Sequence, residues 1–313
     1  SRMLLLRRGG HPVAALPVNV EPGLEPMGGM VGALMNFYST TYLPVAGDDV
    51  TGLDLLPLVT RLRELCNGAP TLQFESMDPE APQTAALESA LRAAGYAVER
   101  YSCLGNWYLP VTQSWEEYLE ARPGELRSTI RRMGKRLQEL GGRIEILSSV
   151  DEVDRALSAF HAVYTRSWKH SEPLPGIVDG LVGLCARRSW LRMGLIWLDD
   201  KPIAAQIWVV NGGRAMIYKL AYDEAHKRLA PGTVLTATLM RHAFVNDRVV
   251  EVDYLVGDEP YKKQWMTHRR DRCGIVANDL DSPIGWLGAA RQFASRMRHR
   301  LPSVLKAGSV ETK

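Results

Sequence analysis

Hydrophobic and polar positions follow two rhythms along this chain, period two and period near 3.6, and together they divide it into short strands and helices. Residues 3–20 read as a hairpin, with strands over 4–7 and 13–18 around Arg8-Gly9-Gly10-His11-Pro12. Residues 36–45, with aromatic and β-branched side chains, predict a strand. Leu55, Leu58, Val59, Leu62 and Leu65 recur at helical spacing and predict a helix over 53–66. A strand over 71–75, a helix over 83–94 stopped at Gly95, and strands over 96–100 and 107–111 follow. Residues 116–140 read as one basic helix. Ile130, Met133, Leu137 and Leu140 form its apolar face, and Arg127, Arg131, Arg132, Lys135 and Arg136 cover the others. Such a run is a solvated face or an anion-binding one.

From residue 144 the pattern begins again. Helices are predicted over 153–168 and 177–188, and strands over 191–198 and 202–210 joined by Asp199-Asp200-Lys201. A strand over 215–222 runs into His226-Lys227-Arg228 and Pro231-Gly232, then a helix to about Phe244 and a strand over 249–256. A last strand covers 272–278. The helix over 285–301 is expected to turn Trp286, Ala290, Phe293, Met297 and Leu301 inward and Arg291, Arg296, Arg298 and Arg300 outward. The tail from Pro302 is expected to be disordered. Both halves thus run hairpin, strand, helix, strand, helix, strand, the order of a structural repeat.

Composition narrows the class. With 46% hydrophobic and 23% charged residues among 313, the chain is globular and long enough for one to two domains. A net charge of +3 is too small to argue for nucleic acid as a partner. Cys66, Cys103, Cys185 and Cys273 lack paired spacing, which suits a reducing cytoplasm and predicts no metal site. No apolar run is long enough to span a membrane, and Met3-Leu4-Leu5-Leu6 is too short for a signal peptide core. A chain opening on a bare hairpin strand suggests that residues precede Ser1.

Chemistry concentrates between Arg214 and Trp265. A helix start carries unpaired N–H groups and partial positive charge, so it draws phosphate. Here Lys227 and Arg228 precede that start, and Gly232 permits close approach of a backbone. An ordinary strand–helix crossover with a solvated basic loop would look the same. The matching loop of the first half, Val45-Ala46-Gly47-Asp48-Asp49-Val50, is acidic and would repel phosphate. On the strand over 249–256, alternation puts Glu251, Asp253, Leu255 and Gly257 on one face. Two carboxylates there are either candidates for a general base, Asp253 foremost, with burial beside Glu251 raising at least one pKa, or partners of a nearby Arg or Lys. His161 could shuttle protons or serve as a satisfied structural histidine. Arg166, Lys169 and His170 flank Trp168 and could bind an anionic acceptor.

These residues resemble the GNAT acyltransferase superfamily, and more narrowly its CelD-like branch, associated with cellulose or exopolysaccharide loci and related to Fem-type aminoacyltransferases. Lys219-Leu220-Ala221-Tyr222-Asp223 with Ala230-Pro231-Gly232, then Asp253-Tyr254-Leu255, then Gly257-Asp258-Glu259-Pro260-Tyr261-Lys262-Lys263-Gln264-Trp265 carry the likeness. It covers about 116–278, and the first half fits a degenerate copy. The resemblance implies an α/β (α+β) fold of two fused GNAT-like domains, each a mixed, mostly antiparallel sheet flanked by helices. The divisions expected are 1–112, 113–302 and a disordered tail over 303–313. It implies acyl-CoA as cosubstrate, with no metal, and transfer to a primary amine. Pantetheine would lie along Lys219, Leu220 and Ala221, in a splay between two parallel strands, and pyrophosphate on Arg228, Gly232 and Thr233. Standard GNAT enzymes carry a fuller glycine pattern than Arg228-Leu229-Ala230-Pro231-Gly232. By the same likeness Tyr261 would be general acid to the thiolate. Lys262 would bind phosphate or a substrate carboxylate, and Trp265 would wall the acceptor pocket or sit in the core.

Within that family the acceptor could be a lipid amine such as a sphingoid base, taking a long acyl chain, or an amino sugar of exopolysaccharide synthesis. The Met- and Gly-rich stretch 27–35 could line an acyl channel, and the basic amphipathic helix over 285–301 could rest on anionic membrane from the cytoplasmic side. A Fem-type transferase using aminoacyl-tRNA and a non-catalytic binding module are the alternatives.

Overall fold

The structure, a computed structural model, describes residues 1–21, 30–65 and 70–300. The expected tail over 303–313, Cys66 and residues 27–29 of the Met-rich stretch lie outside the described residues. In chain order the elements are β1 (Arg2–Arg8), β2 (His11–Glu21), β3 (Met30–Ala33), β4 (Val45–Ala46), α1 (Gly52–Leu65), β5 (Thr71–Met77), α2 (Pro82–Ala93) and β6 (Tyr96–Pro110). Then come α3 (Trp115–Glu120), α4 (Gly124–Glu139), β7 (Arg143–Leu147), α5 (Val153–Thr165), α6 (Pro175–Arg187), β8 (Leu191–Leu198), β9 (Lys201–Asn211) and β10 (Arg214–Tyr222). The chain continues through α7 (Pro231–Val245), β11 (Glu251–Val256), α8 (Lys262–Trp265), β12 (His268–Asp279) and α9 (Pro283–Arg300).

The chain forms two compact units, Ser1–Leu104 with Asp271–Lys313 and Gly105–Arg270, so β6 and β12 each contribute residues to both. In the first unit β1, β2, β3, β5 and β12 lie in that order, antiparallel except for the parallel pair β3/β5. In the second the order is β6, β11, β10, β9, β8, β7, again antiparallel except for one parallel pair, β10/β11. Each parallel pair is joined through a helix, α1 or α7, as parallel strands require. The repeat legible in the sequence is therefore a repeat of topology, and the fold is the mixed α/β arrangement expected. Leu16, Val59, Leu62, Phe74, Leu87 and Ile275 anchor the first core; Tyr118, Trp208, Leu235, Val252 and Trp265 anchor the second.

Several expectations need correction. Residues 36–44 are not a strand, and of the expected span only Val45 is extended, as the first residue of β4. The Asn36 carboxamide accepts from the Tyr38 amide at 2.9 Å and Ser39 closes on the Asn36 carbonyl, a local turn that competes with extended pairing. The two strands expected over 96–100 and 107–111 are one, β6. The single helix over 116–140 is two: α3 starts at a Ser114/Glu117 capping box, and Pro123 begins α4 anew.

The last helix also departs from expectation. Trp286 and Phe293 of α9 are 63% and 64% exposed rather than inside. Glycine decides this. A Cβ on Gly285 would lie 2.1 Å from the Asp279 carbonyl oxygen, so α9 meets β12 through its small residues. A Gly285→Ala chain should lose roughly 1–3 kcal/mol in urea denaturation, and an unchanged midpoint would contradict this packing.

Candidate active site

The two parallel strands of the second unit stay together for three residues only: Arg214 opposite Glu251, Ala215 opposite Val252 and Met216 opposite Asp253. Beyond that point they part. β10 slips register against β9 between Ile217 and Lys219, and β11 slips against β6 between Asp253 and Val256. Leu255 takes a φ of +56°, a conformation costly for a branched side chain, so something must hold it there. The alternation expected from the sequence therefore stops at Asp253.

A buried network holds the bulge. The Asp253 carboxylate, 1% exposed, accepts from the Leu255 amide, Asn106 Nδ2 and Arg270 Nη2, each at 2.6 Å. Asn106 also donates to the Leu255 carbonyl at 2.8 Å and accepts from Arg270 Nε at 2.6 Å. Arg270 reaches Glu251 at 2.9 Å and lies 4.2 Å over the Tyr108 ring. Burial works against its charge, but Glu251 and Asp253 outweigh that and hold its guanidinium above the ordinary value. Both candidate carboxylates are thus engaged by one arginine, and Glu251 also by Arg214 at 2.8 Å. Neither Asn106 nor Arg270 was singled out from sequence. The signal was only that two buried carboxylates need a cation.

On the far side of the bulge, Gly257 has φ +122°, where a Cβ would collide with Glu259 and Lys262. Lys262 is 3% exposed, donates to the Val256 carbonyl at 2.8 Å and pairs with Glu259 at 2.9 Å. Its ammonium therefore braces this turn. Tyr261 is 40% exposed, its ring edge-on to Tyr254 at 5.7 Å. Burial, then Glu259, pushes its phenol up to about 12. Trp265 is buried in the core, its carbonyl accepting from the Tyr118 hydroxyl at 2.7 Å.

The β10 side is packed by the segment after α5. Arg166 donates to Asp223 at 2.7 Å, the Trp168 and Tyr222 rings lie 4.6 Å apart, and Lys219 pairs with Glu172 at 2.6 Å. Burial would raise the Asp223 carboxyl, but Arg166 and the Ala225 amide hold it below its usual range. Lys169 also belongs here; burial, then the nearby Lys219, lowers its ammonium. His170 is exposed. His161 stands apart in its contacts, bonding Asp179 of α6 at 2.8 Å and so bracing α5 against α6.

At the end of β10, Asp223 caps a 3-10 turn over Glu224–Leu229, and Ala230 turns left-handed (φ 44°, ψ 47°) to admit Pro231 as the first residue of α7. The Gly232 and Thr233 amides belong to the first turn, where no intrahelical acceptor exists. A Cβ on Gly232 would lie 3.1 Å from the Tyr222 ring, and its carbonyl accepts from Gln206 at 3.1 Å. Lys227 and Arg228 are exposed beside it. This corner fits an anionic group: donors converge and the added charge is basic.

Comparison with known proteins agrees with this geometry. Residues 124–263 match the family model described as an acetyltransferase (GNAT) domain. No curated protein matches the chain in sequence. Among solved structures, FemX aligns with a TM-score of 0.63 at 12% identity, over 92% of this chain and 90% of that one. L-PGS from Bacillus licheniformis aligns at 0.54 and 10% identity, over 90% and 85%. A C-terminal domain assigned to a lysylphosphatidylglycerol synthetase of Agrobacterium fabrum aligns at 0.53 and 13%, over 91% and 85%. Residues 124–263 are therefore an acetyltransferase (GNAT) domain, and the chain that carries it shares its fold with FemX.

Proposed function

We propose that the chain moves an acyl group from acyl-CoA to a primary amine at the splay of β10 and β11. The parting of two parallel strands beside a basic helix start is the observation that carries this reading. Bound acyl-CoA would supply the acyl thioester. Along β10, the backbone of Leu220 and Ala221 would pair with the amides of its pantetheine, with Lys219 beside them. Gly232, Thr233 and Arg228 hold the diphosphate. Asp253 and Glu251, tied to Arg270, are positioning residues that keep the bulge, and so the splay, open. Lys262 braces the turn that presents Tyr261, whose hydroxyl donates a hydrogen bond to the departing sulfur. Arg166 and Trp168 position the end of β10; Trp265 and His161 support the scaffold.

For the acceptor we favour a lipid amine taking a long acyl group, met at an anionic membrane surface. A structure of like fold, the C-terminal domain assigned to a lysylphosphatidylglycerol synthetase of Agrobacterium fabrum, supports it. The Met-rich stretch lends less. Met30 and Met35 line a depression of about 320 Å³ together with Asn19, Gln73 and Glu75, a wall with substantial polar character. The likeness to FemX favours a second reading, in which an aminoacyl-tRNA is the donor. Thiol release from acyl-CoAs of two to sixteen carbons, about the span from acetyl to palmitoyl, against pooled amines decides between them. Silence there with salt-sensitive tRNA binding supports the second. In the first reading Arg228→Glu raises the KM for acyl-CoA roughly tenfold or more with folding unchanged. Wild-type kinetics in that variant would refute the diphosphate assignment.

A further inference from the structure

The helix α9 carries an apolar face that the rest of the described chain leaves exposed. Its packing side is fixed by Gly285, Gly288 and Gln292. A Cβ on Gly288 would lie 2.5 Å from Asn278 Oδ1, and Asn278 Nδ2 donates to Gln292 at 2.8 Å. At about 100° per residue these three positions share one narrow arc facing β12. Trp286, Ala290, Phe293, Ala294 and Leu287 fall in sequence on the arc opposite, and all five are exposed. The three large ones are 63%, 64% and 69% exposed, for Trp286, Phe293 and Leu287. Single exposed apolar side chains are ordinary; a continuous stripe of them over more than two helical turns is not.

Charge identifies what covers the stripe. Arg291 is exposed at its margin, and the sequence adds Arg296, Arg298 and Arg300, with no acidic residue from Pro283 to Arg300. Apposing two copies of this helix would crowd arginines against arginines. An anionic surface complements them. Among the described residues no helix is long and apolar enough to cross a membrane, so α9 is suited to lie along one. Aromatic rings with basic neighbours are the side chains that seat at the level of the lipid headgroups.

We infer that the outward face of α9 binds an anionic lipid bilayer, with Trp286, Leu287 and Phe293 inserted and Arg291 on the headgroups. This surface does not depend on the transfer reaction and is read without substrate. The full chain is sedimented with vesicles of phosphatidylcholine alone or mixed with phosphatidylglycerol. Binding is expected with the anionic vesicles and is expected to weaken as salt is raised. A Trp286→Glu, Phe293→Glu chain should bind roughly tenfold or more weakly. Its melting temperature should be unchanged, because both side chains are exposed in the folded chain. Arg291→Gln alone should weaken binding about fivefold. A wild-type chain left in the supernatant with anionic vesicles would overturn the inference, as would a glutamate double variant that binds as well. So would a wild-type dimer in light scattering that the double variant converts to monomers, for the stripe would then be a contact between copies.

Discussion

Replacing Arg270 by methionine is expected to destabilise the chain by about 3 kcal/mol, although methionine fills much of the same volume. The substitution removes the cation that Asp253 and Glu251 share inside the sheet, and with it the Arg270 hydrogen bond to Asn106. The cost is that of stranding charge away from water, larger than the net worth of the intact pair. Arg214 provides the contrast. It also bonds Glu251, at 2.8 Å, but its side chain is half-exposed, so Arg214→Met should cost no more than about 1 kcal/mol. Urea denaturation of both chains measures the difference. Equal losses would mean that burial of the network does not govern its strength.

The Arg270 change should also reach function through geometry. The left-handed Leu255 is held by Asp253 and Asn106, and Arg270 orients both. Release of the bulge would let β11 straighten toward β10 and narrow the splay. A chain that stays folded at low temperature should therefore lose acyl transfer ahead of stability.

Tyr261→Phe should lower kcat by about a hundredfold or more, with little change in KM for the donor or in stability. Tyr261 is 40% exposed and its ring meets Tyr254 edge to face at 5.7 Å, so losing the hydroxyl leaves the ring packing in place. The pH dependence has a definite sign. Burial raises the phenol from its ordinary value of 10.0 to about 12, so the protonated, hydrogen-bond-donating form persists to higher pH. Any alkaline limb that belongs to Tyr261 must then lie above pH 10, near 12, and must vanish in the phenylalanine chain. A limb below that range that disappears with Tyr261 would show the ring to be less buried in the working enzyme. A phenylalanine chain with full kcat would remove Tyr261 from the reaction.

The legibility of the chain was uneven for physical reasons. Turn chemistry is local, so Asp199 and Asp200, both left-handed at φ 48° and 56°, close the β8–β9 hairpin where the sequence placed a turn. Helix starts are local too: Pro231 and Gly232 begin α7 as read from the loop before them. Partnerships are not local. Arg270 lies 17 and 19 residues from Asp253 and Glu251, and nothing in its neighbours marks it as their cation. Motif and charge make Lys262 read as a ligand for substrate, yet backbone carbonyls in its own turn accept hydrogen bonds from its ammonium. Alternation along β11 was sound only to Asp253, because a bulge shifts every later side chain and leaves no mark in hydrophobic period.

What the residues alone determined was the order of elements, the repeat, the basic corner at Arg228 and Gly232, and the likeness to GNAT acyltransferases. The first three follow from backbone preference and spacing, which act over a few residues; the likeness rests on the motifs that carry it. The tertiary structure decided which of the charged groups are spent on one another and which remain at the splay, and which face of α9 is hidden. An amphipathic period says that a helix has two sides. Only packing says which one is covered, and here the near-contact of Gly285 and Gly288 with β12 puts the arginines' apolar companions in the open.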